Sequence, residues 1–351
     1  MTSYTSLLFN QLAKADPTRT LTLRSRWAAD WKRRIKELQR VIRISVVDND
    51  GFGLSRPDVT PGTARQLLAQ VPSVHAALEP ASSGSWAYRW SHEKVDAFMR
   101  WLKEMEERGL LEITYRSATA RPMGEPWSNV YVRSAYQSGI KQALAEVKKN
   151  DKKLAQWLGM PGGAVSPMFD YTGGAVSAIM MQPFHADRLA LAYTRVFDEL
   201  KGVTAEMDRQ ISRILTRALA EGKNPREIGA LIADRVDKVG LTRGTLIART
   251  ETIHVHQQAA LNEYYSLEEQ TGEVILVQWN ATQDSRTRDT HMTRHGRVYT
   301  KEEAYPLLGE PNCRCALKPW IPATMGMPAK ATDKAREICR RVLEEEGKRN
   351  E

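Results

Sequence analysis

Two cysteines one residue apart, Cys313 and Cys315, close a stretch that opens near Asp284 and carries His291 and His295. Thiolates and imidazoles are the side chains that bind zinc best, and two Cys with one or two His form a chemically adequate ligand set. His291, Cys313 and Cys315 are therefore the candidate metal ligands, with His295 within reach in sequence. The spacing departs from the C-x2-C knuckle of structural zinc sites. The competing reading is a tight turn in which the cysteines pack as small residues and His291 hydrogen-bonds to the loop. Around the histidines, Asp284, Arg286, Arg288 and Asp289 mix both signs of charge over a few residues. Arginine forks match carboxylates bidentately, so the pattern suits a loop bonded to itself; phosphate contact is the other use of the same groups.

Catalytic signatures are missing. The chain has no G-x-S-x-G, P-loop, H-E-x-x-H or dinucleotide fingerprint. His254 and His256 fall two apart on an expected helix, hence on different faces, which is wrong for a shared metal. Glu251 and His254 do share a face, a spacing that ordinarily stabilises a helix. Arg249 and Glu251 point apart. These residues give no catalytic set, and the expectation is a protein that is not an enzyme.

The elements that would hold these groups are mostly helical. Apolar residues recur at Trp27, Trp31, Ile35, Leu38 and Ile42, one helical face. A second helix is expected from Ser91, with Val95, Phe98, Met99 and Leu102, stopping at a left-handed Gly109. A short strand or extended linker, "LLEITYR", follows. A third helix presents Val132, Tyr136, Ile140, Ala143, Leu144 and Val147. Residues 159–184 are rich in Gly, Pro and Met and read as an apolar arm or linker that packs on a neighbouring subunit. Leu189 to Leu200 and Met207 to Ala218 form helical stripes. Asn224, Pro225 and Glu227 make a capping box, and Thr242 is read as the cap of a long last helix. "EVILVQWNAT" and "GRVYT" read as strands. The tail from Ala331 is a mixed-charge helix with Ile338, Val342 and Leu343 as its apolar side, either solvated or docked on a partner.

The fold class is thus mainly α with a small C-terminal α+β module. The organisation is an N-terminal helical region (1–115), a helix with its arm (116–184), a central helical array (185–270), a loop-rich β module (271–322) and a charged helical tail (323–351). No apolar run approaches the ~20 residues of a membrane span, and no secretory leader is expected. Three cysteines make no disulfide framework, which points to a reducing cytoplasm. Net charge is +9 with pI 9.4. Ten basic residues against Asp16, Asp30 and Glu37 lie between Lys14 and Arg43, making that segment the candidate surface for double-stranded DNA. A solvated helix face is its plainer reading.

From Pro183 to Pro322 the chain resembles the phage Mu F-like minor head proteins, also called phage head morphogenesis proteins. The resemblance rests on an ordered set: the helical stretch from His185, "ARTETIHVHQQAALNEY", "QWNATQDSRTRDTHMTRHGRVYT" and "PNCRCAL". It extends less distinctively to "VDAFMRWLKEMEERGLLEI" and "WSNVYVRSAYQSGI". It implies a virion component of the capsid interior or portal vertex, made in the host cytoplasm and acting in procapsid assembly. Its implied partners are the portal protein, the major capsid protein or both, with several copies per particle, contact with packaged DNA and no membrane. Many such proteins carry a C-x-x-C after the Asp and a His before the closing motif. Here those positions hold Arg288, His291 and Glu310, so a metal site would survive in part, as His291, Cys313 and Cys315. Another branch has T-R-x-x-H, matched by Thr287 to His291, where the role would be a hydrogen-bonded turn. Zinc is the one cofactor implied. Two rival functions are a metal-dependent nuclease built on His291, His295 and the cysteines, and an ADP-ribosyltransferase-like enzyme using Arg249 and a downstream Glu. The latter comes from fold analogy alone.

Overall fold

The computed structural model describes residues 16–54, 91–111, 113–114, 125–158 and 174–349. The chain is mainly α-helical, with a small three-stranded antiparallel sheet near the C-terminus. It divides into two compact units, each assembled from separate segments.

The first unit is Trp27–Asn129 with Arg195–Ile247. Helix α1 (Leu21–Arg43) runs on into a wide π-helical turn, Ile44–Asp48. Its stripe of Trp27, Trp31, Ile35, Leu38 and Ile42 is buried throughout, as the 3.6-residue period requires. Trp31 donates from Nε1 to the Gly240 carbonyl at 2.8 Å. Its indole lies where a Cβ on Gly244 would fall, 1.9 Å from Nε1, so only glycine fits there. Helix α2 (Ser91–Gly109) buries Phe98 and Leu102 as expected. Val95 and Met99 are only half-buried, and Ala97, Trp101 and Met105 complete the inward face instead.

Gly109 does not take the left-handed stop conformation; it is the last helical residue. Its orphan carbonyl is satisfied differently, by Arg34 Nη1 at 2.8 Å, while the Leu110 and Leu111 amides close back on Glu106. Two short strands, β1 (Ile113–Thr114) and β2 (Glu125–Pro126), pair antiparallel. Helix α6 (Pro183–Ala220) carries both central stripes in one rod, whose part from Arg195 belongs to this unit. Helix α7 (Pro225–Arg235) begins with the expected box: Asn224 Oδ1 accepts from the Glu227 amide at 3.0 Å, and Glu227 Oε2 accepts from the Asn224 amide at 3.3 Å.

Thr242 is not a cap. A second π-helical turn, Val236–Leu241, joins α7 to α8 (Thr242–Thr271) without a loop, and Thr242 itself has helical φ and ψ. The reason is packing: Val236, Val239 and Gly240 are buried, so the apolar face continues where a break was expected.

The other unit is Met1–Arg26, Val130–Thr194 and Ala248–Glu351. Helix α3 (Asn129–Asn150) buries all six residues of its stripe. A short α4 (Lys152–Leu158) follows. Of the Gly/Pro/Met stretch, residues 159–173 lie outside the described residues. The remainder is not an extended arm but helix α5 (Gly174–Met181), with Val176 and Ile179 buried one turn apart. A buried polar chain links α3, α6 and α8: Asn262 Nδ2 donates to Tyr136 Oη at 3.2 Å, Tyr136 Oη lies 3.0 Å from His185 Nδ1, and His185 Nε2 lies 3.3 Å from Glu263.

In the sheet, β3 (Leu276–Asn280) is central, between β4 (Val298–Tyr299) and β5 (Ala316–Trp320), and both neighbours run antiparallel to it. The C-terminal helix, α12 once the short helices α9 (Asp289–Arg294), α10 (Lys301–Ala304) and α11 (Pro322–Met325) are counted, spans Asp333–Arg349. It docks on the chain's own sheet. Ala335 and Cys339, one turn apart and fully buried, pack with Leu276 and Val298, and Ile338 is only a margin of that contact. Small side chains let the helix approach closely, which a search for large apolar residues passes over. Among the described residues no helix is long and apolar enough to cross a membrane.

Candidate functional site

The fold gathers the sequence-selected residues at one end of the sheet. Asn280 pairs with Ala316 at the start of β5, so the loop after β3 and the loop before β5 leave side by side. The second loop is anchored to α8. Gln257 Nε2 donates to the Cys315 carbonyl, and the Asn312 amide donates to Thr250 Oγ1 at 3.1 Å. Asn312 sits at φ 56°, a left-handed value that Asn tolerates and that turns the chain into Cys313. Thr282 Oγ1 donates to the Arg314 carbonyl at 3.0 Å, and so binds one loop to the other.

This brings His291, Cys313 and Cys315 together. All three are buried, and their ligand atoms lie within 4.8 Å of one another. His291 Nδ1 is 3.2 Å from Cys315 Sγ and 3.5 Å from Cys313 Sγ. The far side of the ring faces Glu310, with Nε2 to Oε2 at 2.7 Å. Desolvation pushes the Glu310 carboxyl up, but hydrogen bonds from His291 and Arg294 and their charges outweigh it, leaving it below the usual range. Glu310 is thus a carboxylate and Nε2 must donate to it. Nδ1 is the ring nitrogen that faces the two sulfurs.

Glu310 is itself held. Arg294 Nη1 donates to Oε1 at 2.9 Å, and Arg288 spans the Pro311 carbonyl at 2.6 Å and Oε2 at 3.4 Å. The Trp279 ring meets the imidazole edge-on at 5.9 Å. The thiols share one negative charge. A hydrogen bond from Cys315, its backbone amide and the imidazole's charge, against burial, bring Cys313 down to about 6. Cys315 is pushed well up, first by its bond to that thiolate and then by burial.

The candidate residues part ways here. His295 does not join the cluster; its Nδ1 accepts from the Ala281 amide at 3.1 Å. Asp284 is forked by an arginine, though not one of its own loop: Arg314 places Nη1 and Nη2 each 2.6 Å from a carboxylate oxygen. That fork, chiefly, holds the Asp284 carboxyl far below the usual range. Glu251 and His254 do share a helix face, 4.0 Å apart, while His256 lies on the opposite, buried side. Glu310 and Arg294 complete the site. Long-range pairing with His291 is what makes them part of the site, and nothing in their local sequence signals it.

The three ligands fit zinc on chemical grounds: two sulfurs, the Cys313 thiol pushed down toward the thiolate that binds metal, and one imidazole nitrogen whose ring is oriented by a carboxylate on its other side. They make a three-ligand set.

Residues 209–318 match the family described as Phage Mu protein F like protein. No curated protein and no solved structure gives a significant match to the chain. The matched span runs from the second half of α6 into β5 and contains every residue of the cluster, including the loop that carries Cys313 and Cys315. Over this span, under a third of the chain, the sequence is similar to the Mu F-like phage head morphogenesis proteins.

Proposed function

We propose that the protein is a structural component of the phage head that associates with the portal vertex during procapsid assembly, and that its C-terminal module works by keeping its shape. The observation that carries this reading is how fully the reactive groups of the module are engaged with one another. Asp284 is forked by Arg314, Glu310 is held by His291, Arg288 and Arg294, and the cysteines face His291. A small loop-rich unit gains one fixed geometry from such cross-links between its loops. The test is co-expression with the portal and major capsid proteins of the same phage. The chain is expected to sediment with portal-bearing procapsids in several copies. Its remaining free while procapsids form normally would overturn the assignment. So would DNA cleavage, or ADP-ribosyl transfer from labelled NAD, that is lost in a folded His291→Ala variant.

The same module is proposed to hold zinc through His291, Cys313 and Cys315. Zinc here would add a cross-link between α9 and the loop before β5, with Glu310 fixing the ring. Elemental analysis after purification without chelators is expected to give about one zinc per chain. The double variant Cys313→Ser, Cys315→Ser should lose it, and Glu310→Gln should weaken zinc binding about tenfold. Zinc-free protein would leave the hydrogen-bonded turn as the role of these residues.

A further inference from the structure

Outside the matched span, α1 and α2 enclose a groove of about 910 Å³ on the first unit. Its wall is an α1 face of Lys32, Arg33, Lys36 and Arg40, and Ala29, Val41 and Met105 give it an apolar floor. Glu37 is the one acid in that lining. The sequence offers this basic segment as a DNA surface, and four of its seven arginines have partners within the chain. Arg24 is buried in an ion pair with Asp16. Arg34 lies 4.3 Å over the Trp127 ring while donating to Gly109. Arg33 bonds Asp30, and Arg40 bonds Glu37. The lysines, Lys32 and Lys36, are exposed on the groove wall.

A phosphate backbone asks for cations and has nothing to place in an apolar trough. An amphipathic helix with an acidic outer face asks for both, with apolar anchors one turn apart for the trough and carboxylates for the rim. The chain's own last helix is a poor candidate, because its Asp and Glu are matched by its Lys and Arg.

We propose that this groove docks an acidic amphipathic helix of a partner protein. The proposal deepens the assembly reading by giving one partner contact its chemistry. It is tested on the purified full chain without particles, so either can fail while the other stands.

The probe is a labelled peptide of about 18 residues, long enough to form a helix, with leucines at i, i+3, i+4 and i+7 and glutamates elsewhere. Its partners in the assay are the same peptide with serines for leucines and a DNA duplex of about 20 base pairs. The leucine peptide is expected to bind in the micromolar range, about tenfold or more tighter than the serine peptide. Lys32→Glu with Lys36→Glu should weaken it about tenfold. Ala29→Trp, an exposed position that fills the floor, should do the same. Circular dichroism checks that each variant is folded. Equal binding of the serine peptide would reduce the effect to charge attraction and overturn the proposal. So would duplex DNA binding that falls with the lysine changes and ignores Ala29→Trp, and so would no binding of the leucine peptide.

Discussion

Replacing Gly139 with alanine is expected to destabilise the unit that contains α3 by about 3 kcal/mol, the upper end for forcing extra volume into a packed core. A Cβ at this position would sit 2.1 Å from the His256 carbonyl oxygen, 2.8 Å from Ala259 Cβ and 3.0 Å from the His256 carbonyl carbon. None of these is the end of a flexible side chain that can swing away. The relief available is to part α3 from α8, and that would loosen the buried contacts of Tyr136, Ile140 and Ala143. Gly202 is the control. It lies within α6 with nothing within 4 Å of a built Cβ, so Gly202→Ala should gain about 0.5–1 kcal/mol through helix propensity. Urea unfolding, with hydrogen exchange across α3 to assign the change to its unit, checks both. Equal effects at the two glycines would refute the close approach.

Glu106→Gln should remove most of the alkaline loss of stability of the first unit. Glu106 on α2 and Asp208 on α6 hydrogen-bond carboxyl to carboxyl. Glu106 is 1% exposed, and burial first, then the charge of Asp208 and the bond to it, push it up to about 10. Asp208 borders a cavity of about 430 Å³ that it shares with Asp96, Met99, Arg100 and Lys103, so it meets solvent and cations and Glu106 keeps the proton. An unfolded Glu titrates near ~4.3. Between that value and about 10 the folded chain holds a proton that the unfolded chain has released. The contribution is therefore complete below the unfolded pKa and falls as pH rises through the window, by up to ~1.4 kcal/mol per pH unit. Glutamine remains a neutral donor to Asp208 without a proton to lose. The variant should be more stable at pH ~8 by several kcal/mol, at most ~5, and nearly level with wild type at pH ~4. Parallel pH profiles for the two proteins would sink this account.

Periodic features could be read from the linear chain because their causes are local. The α1 stripe from Trp27 to Ile42 and the six-residue face of α3 follow from 3.6-residue geometry alone. The Asn224–Glu227 box follows from side chains that reach no further than the next turn. The cysteine pair also lay within one short stretch.

Contacts across long sequence separations had no such marker. That Gly109 ends its helix without a left-handed turn depends on Arg34 reaching its carbonyl. The join between α7 and α8 depends on burial that keeps an apolar face continuous through Gly240. The Glu106–Asp208 pair arises because two helices far apart in the chain are neighbours in the fold. The sequence singles out His291 with the two cysteines and leaves His295 only within reach. The pairing of β3 with β5 is what sets the His291 ring against Cys313 and Cys315, while His295 accepts from a backbone amide. A residue type limits the chemistry a side chain can do, and the register of distant strands determines whether its partners are there to do it with.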